Sequence, residues 1–113
     1  MENIRIYLVR HGETEWNNNG RYQGHTDVAL SVSGRRQAEL LRERFRSIPL
    51  DSVYSSDLSR ARETAAVIAA PHGLTIKTEE AFREIDFGFW EGLTYQEITA
   101  RYPHEWERWR QDP

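Results

Sequence analysis

No cysteine occurs anywhere in the chain, which excludes disulfides and thiolate metal sites and fits a reducing, cytoplasmic setting. Lysine is almost missing too: of 15 basic residues all but Lys77 are arginine. So wide a skew reflects genome composition more than function, although the guanidinium fork is the better partner for a phosphate. No apolar run approaches the ~20 residues of a membrane span, and the start carries neither the basic nor the apolar region of a secretory signal, so no membrane partner is expected. A net charge of −3 argues against general affinity for nucleic acid. Repeats, low-complexity tracts and linkers are absent as well. The 113 residues therefore read as one domain spanning 1–113, large enough for a core but small for a doubly covered α/β sheet.

What is present alternates between strand and helix signals. Ile4, Ile6, Tyr7, Leu8 and Val9 form a nearly continuous apolar run, the pattern of a strand buried on both faces. A helix is predicted over 32–46, capped by Ser31, with Ala38, Leu41 and Phe45 facing inward. Pro49 ends it and 51–55 reads as a second strand. A helix over 58–70 follows, capped by Asp57, with Ala61, Ala65 and Ile68 facing the sheet. Pro71-His72-Gly73 breaks that helix, and 74–78 gives a third strand. The order implies an α/β fold with a mostly parallel sheet and right-handed crossovers. Thr94-Tyr95-Gln96-Glu97 is a capping box for a last helical region, and Pro103 restarts the helix. Trp106 and Trp109 share one face there. They read as a packing stripe; a stacking platform for nucleobases is the rival reading.

The densest signal is Leu8-Val9-Arg10-His11-Gly12-Glu13-Thr14-Glu15-Trp16-Asn17. A strand that stops at Arg-His-Gly delivers an imidazole and a guanidinium together to a sheet edge. Gly12 would let the backbone turn away and leave its N–H open to an anion. Arg21-Tyr22-Gln23-Gly24 with Thr26-Asp27, Ser55-Ser56-Asp57-Leu58-Ser59-Arg60-Ala61, and Arg83-Glu84-Ile85-Asp86-Phe87-Gly88 with Trp90-Glu91-Gly92 follow in order. These four blocks, over residues 4 to 94, resemble the signature of the histidine phosphatase superfamily, the phosphoglycerate mutase-like family. The resemblance implies a three-layer sandwich of which this chain is the N-terminal part. It also implies a second active-site histidine at a Ser-His-Gly-like strand end, for which this sequence has no match. The chain is accordingly expected to be a piece of a longer protein. If it were whole, the missing histidine would leave weak activity, and an unpaired edge on the first strand would favour self-association, as a homodimer, or poor solubility.

Ligands of open α/β sheets bind beyond the carboxyl ends of the strands. His11 follows the first strand, and Ser55 to Arg60 follow the second and open a helix. A phosphate there would meet Arg10, Arg60 and backbone N–H groups, and the flanking charge favours the neutral imidazole. Such a ring can attack phosphorus in line and form a phosphohistidine. The resemblance implies Glu84 as the acid that protonates the departing oxygen, with Glu13 and Glu15 as rivals that read better as turn or helix-start residues. It further implies substrate-binding positions at Arg10, His11, Gly12, Glu13, Thr14, Asn17, Gln23, Gly24 and Arg60. Asn17 equally fits a turn residue, since Asn17-Asn18-Asn19-Gly20 is a strong turn signal. Arg21 and Arg62 read as structural or surface residues. His25, His72 and His104 fit no zinc spacing and read as loop or solvent-facing histidines, so neither a metal nor a cofactor is expected. Ile85-Asp86-Phe87-Gly88 after the acidic residue, and Gln23, resemble the phosphatase branch, which includes α-ribazole, phosphoserine and broad-specificity phosphatases. The expectation is hydrolysis of a small phosphorylated metabolite. Phosphoryl transfer of the phosphoglycerate mutase type is the alternative, and a non-catalytic phosphate-binding module the second.

Overall fold

The structure of the protein, a computed structural model, describes residues 3–113. In chain order it contains a one-turn helix Glu15–Asn18 (α1), a helix Val32–Phe45 (α2), a strand Tyr54–Ser55 (β1) and a helix Ser59–Ala69 (α3). A strand Lys77–Thr78 (β2) and two helices, Tyr95–Arg101 (α4) and Pro103–Gln111 (α5), follow, with single 3-10 turns at Ala70–His72, Glu80–Phe82 and Gly88–Trp90. β1 and β2 pair in parallel, Tyr54 with Lys77 and Ser55 with Thr78, and α3 is the connection between them. The β–α–β order is as expected, but the one ladder among the described residues covers two residue pairs where strands of five residues were expected.

α2 begins where Ser31 accepts the Gly34 N–H on its side chain, the expected cap. Gly34, Ala38 and Phe45 fall on one face and are buried. α3 presents Arg60, Thr64 and Ile68, four residues apart, to the interior together with Ala65 and Ala69. The two helices pack on each other, and Arg35 donates to Glu63 across the seam at 2.9 Å. Pro71 follows the last turn of α3, and Gly73 closes it in the left-handed region at φ 67°.

The cap of α3 differs from expectation. Asp57 does not cap; both its oxygens are taken by Arg83, at 2.7 and 2.8 Å. Asp27 from a distant loop accepts the Ser59 N–H instead, at 2.7 Å. A bidentate arginine outcompetes a single backbone amide for a carboxylate.

The larger correction concerns the first segment. Ile4–Val9 is not a strand among the described residues: Ile4 is 89% and Leu8 94% exposed. A central parallel strand needs a ladder on each edge and cover on both faces. β1 and β2 satisfy each other, and the segment meets α2 where Phe45 touches Tyr7 edge to face, 5.4 Å between centroids. The radius of gyration, 16.6 Å, exceeds the about 13 Å of a compact chain this long, as an uncovered apolar flank requires.

At the end of that segment the backbone meets α2 directly. A Cβ on Gly34 would lie 2.0 Å from the Glu13 carbonyl oxygen, and one on Gly12 would lie 2.4 Å from the Gly34 carbonyl oxygen. Gly12 is therefore glycine for close approach; its φ is not in the left-handed region. Gly34→Ala is expected to destabilise the chain by roughly 2–4 kcal/mol, as overpacking against backbone does. Urea unfolding at constant m would measure it, and an unchanged midpoint would show that the two segments separate without cost.

α4 is capped by Thr94, which accepts the Glu97 N–H at 3.2 Å. The other half of the box is diverted, because the Glu97 carboxylate pairs with Arg21. Arg21 also donates to the Gly92 carbonyl at 2.6 Å, the structural role expected of it. Trp106 and Trp109 stack on each other and on Trp90, with Tyr22, Phe87 and Tyr95 around them. The stripe packs within this chain. No helix among the described residues is long and apolar enough to cross a membrane.

Candidate active site

His11 leaves the exposed segment and immediately becomes nearly buried, its side chain 8% accessible. Nδ1 lies 2.6 Å from the Gly12 carbonyl oxygen, so Nδ1 carries the proton and donates it there. That fixes the ring and aims Nε2 at Glu84, 3.3 Å away at Oε1. The other Glu84 oxygen faces the Arg60 guanidinium at 3.7 Å. Three residues from separate blocks of the sequence, 11, 60 and 84, are thus linked through the two oxygens of one carboxylate.

Arg60 is 1% exposed. Its two terminal nitrogens donate to the Thr26 and Gly24 carbonyls at 2.7 and 2.6 Å, which leaves N–H groups of the fork for an anion. Gly24 sits at φ 55°, and any Cβ there would strike the Ile85 carbonyl oxygen and the Phe87 nitrogen. Arg10 is exposed and lines a cleft of about 370 Å³ with His11, Glu13, Asn17 and Gln37. The two arginines therefore approach His11 differently: Arg60 is locked from below, whereas Arg10 lies on the open side.

Glu84 is held below the ordinary carboxylate range, first by its bond to His11, against partial burial, with help from the charges of Arg60, His11 and Arg10. It is ionised in this arrangement. A carboxylate this close to a ring nitrogen can share a proton with it.

Other expected site residues serve the scaffold. The Gly12 N–H is not open to an anion; it donates to Thr64 Oγ1 at 3.2 Å, and Thr64 in turn donates to the Arg60 carbonyl. Spacing along the chain could not reveal that partner, 52 residues away. Thr14 is buried and caps α1 in a reciprocal box with Asn17 while its hydroxyl donates to the buried Gln23 side chain at 2.5 Å. Asn17 nevertheless borders the cleft. The Glu13 carbonyl accepts the Ser31 N–H at 2.9 Å and the Glu13 N–H donates to Gln37 Oε1 at 2.9 Å, which ties the loop to α2.

Glu91, present in the fourth sequence block but given no role there, does much of the positioning. It accepts the N–H groups of His25, Thr26 and Phe87. Burial would raise its pKa, but the hydrogen bonds from Thr26 and the His25 amide overcome this and hold it down at about 2. His25 and His72 are not free loop histidines: His25 Nε2 bonds the Glu84 carbonyl at 2.9 Å and His72 Nε2 the Phe45 carbonyl at 3.0 Å. A family model for the histidine phosphatase superfamily, branch 1, matches residues 6–113. The chain is 42% identical over 110 residues to phosphoserine phosphatase 1 of Hydrogenobacter thermophilus, covering 97% of this chain and 52% of that one. It is 45% identical over 109 residues to phosphoglycerate mutase-like protein 4 of Arabidopsis thaliana, covering 95% and 47%. Among solved structures, a putative α-ribazole-5′-phosphate phosphatase from Escherichia coli superposes with a TM-score of 0.86 at 30% identity, covering 92% and 52%. The chain spans about half the length of the curated relatives it matches. A family match that starts at residue 6, relatives this similar, and a histidine, an arginine and a glutamate converging from three of the four sequence blocks lead to one assignment: the chain belongs to the histidine phosphatase superfamily.

Proposed function

We propose that this chain carries the phosphoryl-transfer chemistry of a phosphomonoester hydrolase, with His11 Nε2 as the nucleophile. The observation that supports it most is the orientation of the ring: Nδ1 bound to the Gly12 carbonyl at 2.6 Å and Nε2 facing Glu84 at 3.3 Å. A dianionic phosphate ester arriving at Nε2 adds negative charge beside Glu84 and raises its proton affinity. The shared proton then moves to the carboxyl. The imidazole becomes neutral and attacks phosphorus, the P–O bond to the alcohol breaks, and Glu84 gives its proton to the departing oxygen. Arg60 and Arg10 stabilise the equatorial oxygens. Glu84, ionised again, takes a proton from water, whose oxygen attacks phosphorus and releases phosphate from the histidine. The substrate is a small phosphorylated metabolite; the relatives' names place phosphoserine and α-ribazole phosphate among the first to assay.

The test is a rapid, acid-free quench with an aryl phosphate. Protein-bound phosphate that is stable in alkali and labile in acid is the expected product, and its absence supports a binding module without turnover. Glu84→Gln is expected to slow phosphoenzyme formation by about 10²–10⁴-fold for alkyl phosphates and much less for aryl ones, whose leaving groups need no proton. An equal loss for both classes would remove the donor role. The similarity to a mutase-like protein supports phosphoryl transfer to a second alcohol as the other reading. Release of inorganic phosphate in the presence of added alcohol acceptors decides between them.

A further inference from the structure

We propose that His25 is a positioning residue for this chemistry, setting the distance between the Glu84 carboxyl and the His11 nucleophile. The inference rests on the functional reading above, but its evidence is separate. His25 Nε2 meets the backbone carbonyl of Glu84 itself, at 2.9 Å, across 59 residues of sequence. A carbonyl accepts only, so Nε2 carries the proton and donates it. On the other side of the ring, Nδ1 lies 3.7 Å from Asp86 Oδ2, two residues beyond Glu84. The hydrogen-bonded hold on the acidic segment is the Nε2 contact; the approach to Asp86 becomes an ion pair only when the ring is charged.

The backbone around His25 makes the contact more than a local one. Gly24 and Thr26, its two chain neighbours, give their carbonyls to the buried Arg60 guanidinium. The amides of His25 and Thr26 are in turn held by Glu91, which also binds the Phe87 amide three residues past Glu84. The tripeptide Gly24-His25-Thr26 is thus a brace, with Arg60 on its carbonyls and the Glu84 segment on its histidine ring. Moving the ring alters where Glu84 stands relative to both Arg60 and His11. Nε2 donates in the neutral and in the charged ring alike, so the restraint does not depend on the protonation of His25. Glu84 itself is 49% exposed and reaches His11 by a single 3.3 Å contact, the kind of loosely held acid that a backbone restraint must place.

His25→Gln keeps a donor near the Nε2 position; His25→Asn is polar but too short to reach, and His25→Ala removes the contact. The first readout is the Glu84 carboxyl titration followed by carbon NMR on glutamate-labelled protein. In His25→Ala and His25→Asn it is expected to move upward toward the ordinary carboxylate range, because the partners that depress it, His11 first, are no longer aligned. His25→Gln is expected to stay near the parent. The second readout is turnover: the alanine variant should lose about 10- to 100-fold in kcat on alkyl phosphates, with KM and the loss on aryl phosphates much smaller, and glutamine should restore it. A purely structural histidine would lower the thermal midpoint and both substrate classes together. An unmoved Glu84 titration in His25→Ala, or a glutamine variant no better than asparagine, would overturn the proposal. A parent protein that forms no phosphoenzyme sinks the phosphatase reading instead, and the titration still decides the role of His25.

Discussion

His11→Ala is expected to leave the protein folded and to abolish both phosphoenzyme and turnover, by up to about 10⁶-fold in kcat if it behaves as removal of a covalent nucleophile does. The ring makes two polar contacts, one to the neighbouring Gly12 carbonyl and one to Glu84 from a distant block. Glu84 is half exposed already, so its lost bond costs little, while the void left by the nearly buried ring puts the expected destabilisation at roughly 1–3 kcal/mol. Phosphate should still bind, since the Arg60 fork is held by Gly24 and Thr26 independently of the ring. Separate loss of chemistry and retention of binding is what distinguishes a nucleophile from a phosphate ligand. The measurement is quenched incorporation of labelled phosphate alongside equilibrium binding of vanadate or phosphate. Label that persists in His11→Ala would place the nucleophile elsewhere, and binding that disappears with the label would make His11 a ligand.

The convergence of 11, 60 and 84 could be read from sequence because each lies in a short motif block, Glu84 through the family resemblance, although His11 follows no strand among the described residues and Arg60 opens a helix. The residues that hold them could not. His25 and Glu91 act on backbone groups, a carbonyl in one case and three amides in the other. Backbone groups are the same at every position, so no pattern of letters announces such a partner. The Gly12 amide failed for the same reason: its acceptor, Thr64, belongs to a helix that periodicity places correctly without saying what it touches. Periodicity identified Ala38, Phe45, Ala65 and Ile68 as inward, while Leu41 and Ala61 are only half-buried. It misled at Ile4–Val9, because a continuous apolar run states what a segment needs, two covered faces, and not whether neighbours are there to cover it. Asp57 shows the same limit on a smaller scale, a sound cap by type that a bidentate arginine claims first.

Arg60→Ala should be the most damaging single change, because it acts on stability and chemistry at once. The side chain is buried, and its removal leaves the Gly24 and Thr26 carbonyls without their donor. Each orphaned buried acceptor costs about 1–3 kcal/mol. A loss of roughly 2–6 kcal/mol follows, or on the order of 10–30 °C in Tm for a chain of this size. The Gly24-His25-Thr26 loop loses its anchor, so Glu84 loses its placement as well as its 3.7 Å guanidinium neighbour. With one preorganised cationic donor removed from the phosphate, at least 10²–10³ in kcat is expected to go, about 3–4 kcal/mol of transition-state stabilisation. Arg60→Lys separates the two effects. An ammonium keeps the charge but cannot span both carbonyls and still present a planar edge to an anion. Lysine is therefore expected to recover part of the rate loss and little of the stability. Calorimetry and phosphoenzyme formation on the same three proteins give the comparison. Parental stability in Arg60→Ala would show that the two carbonyls are served without the guanidinium, and parental kcat in Arg60→Lys would show that a point charge suffices where the structure has built a fork.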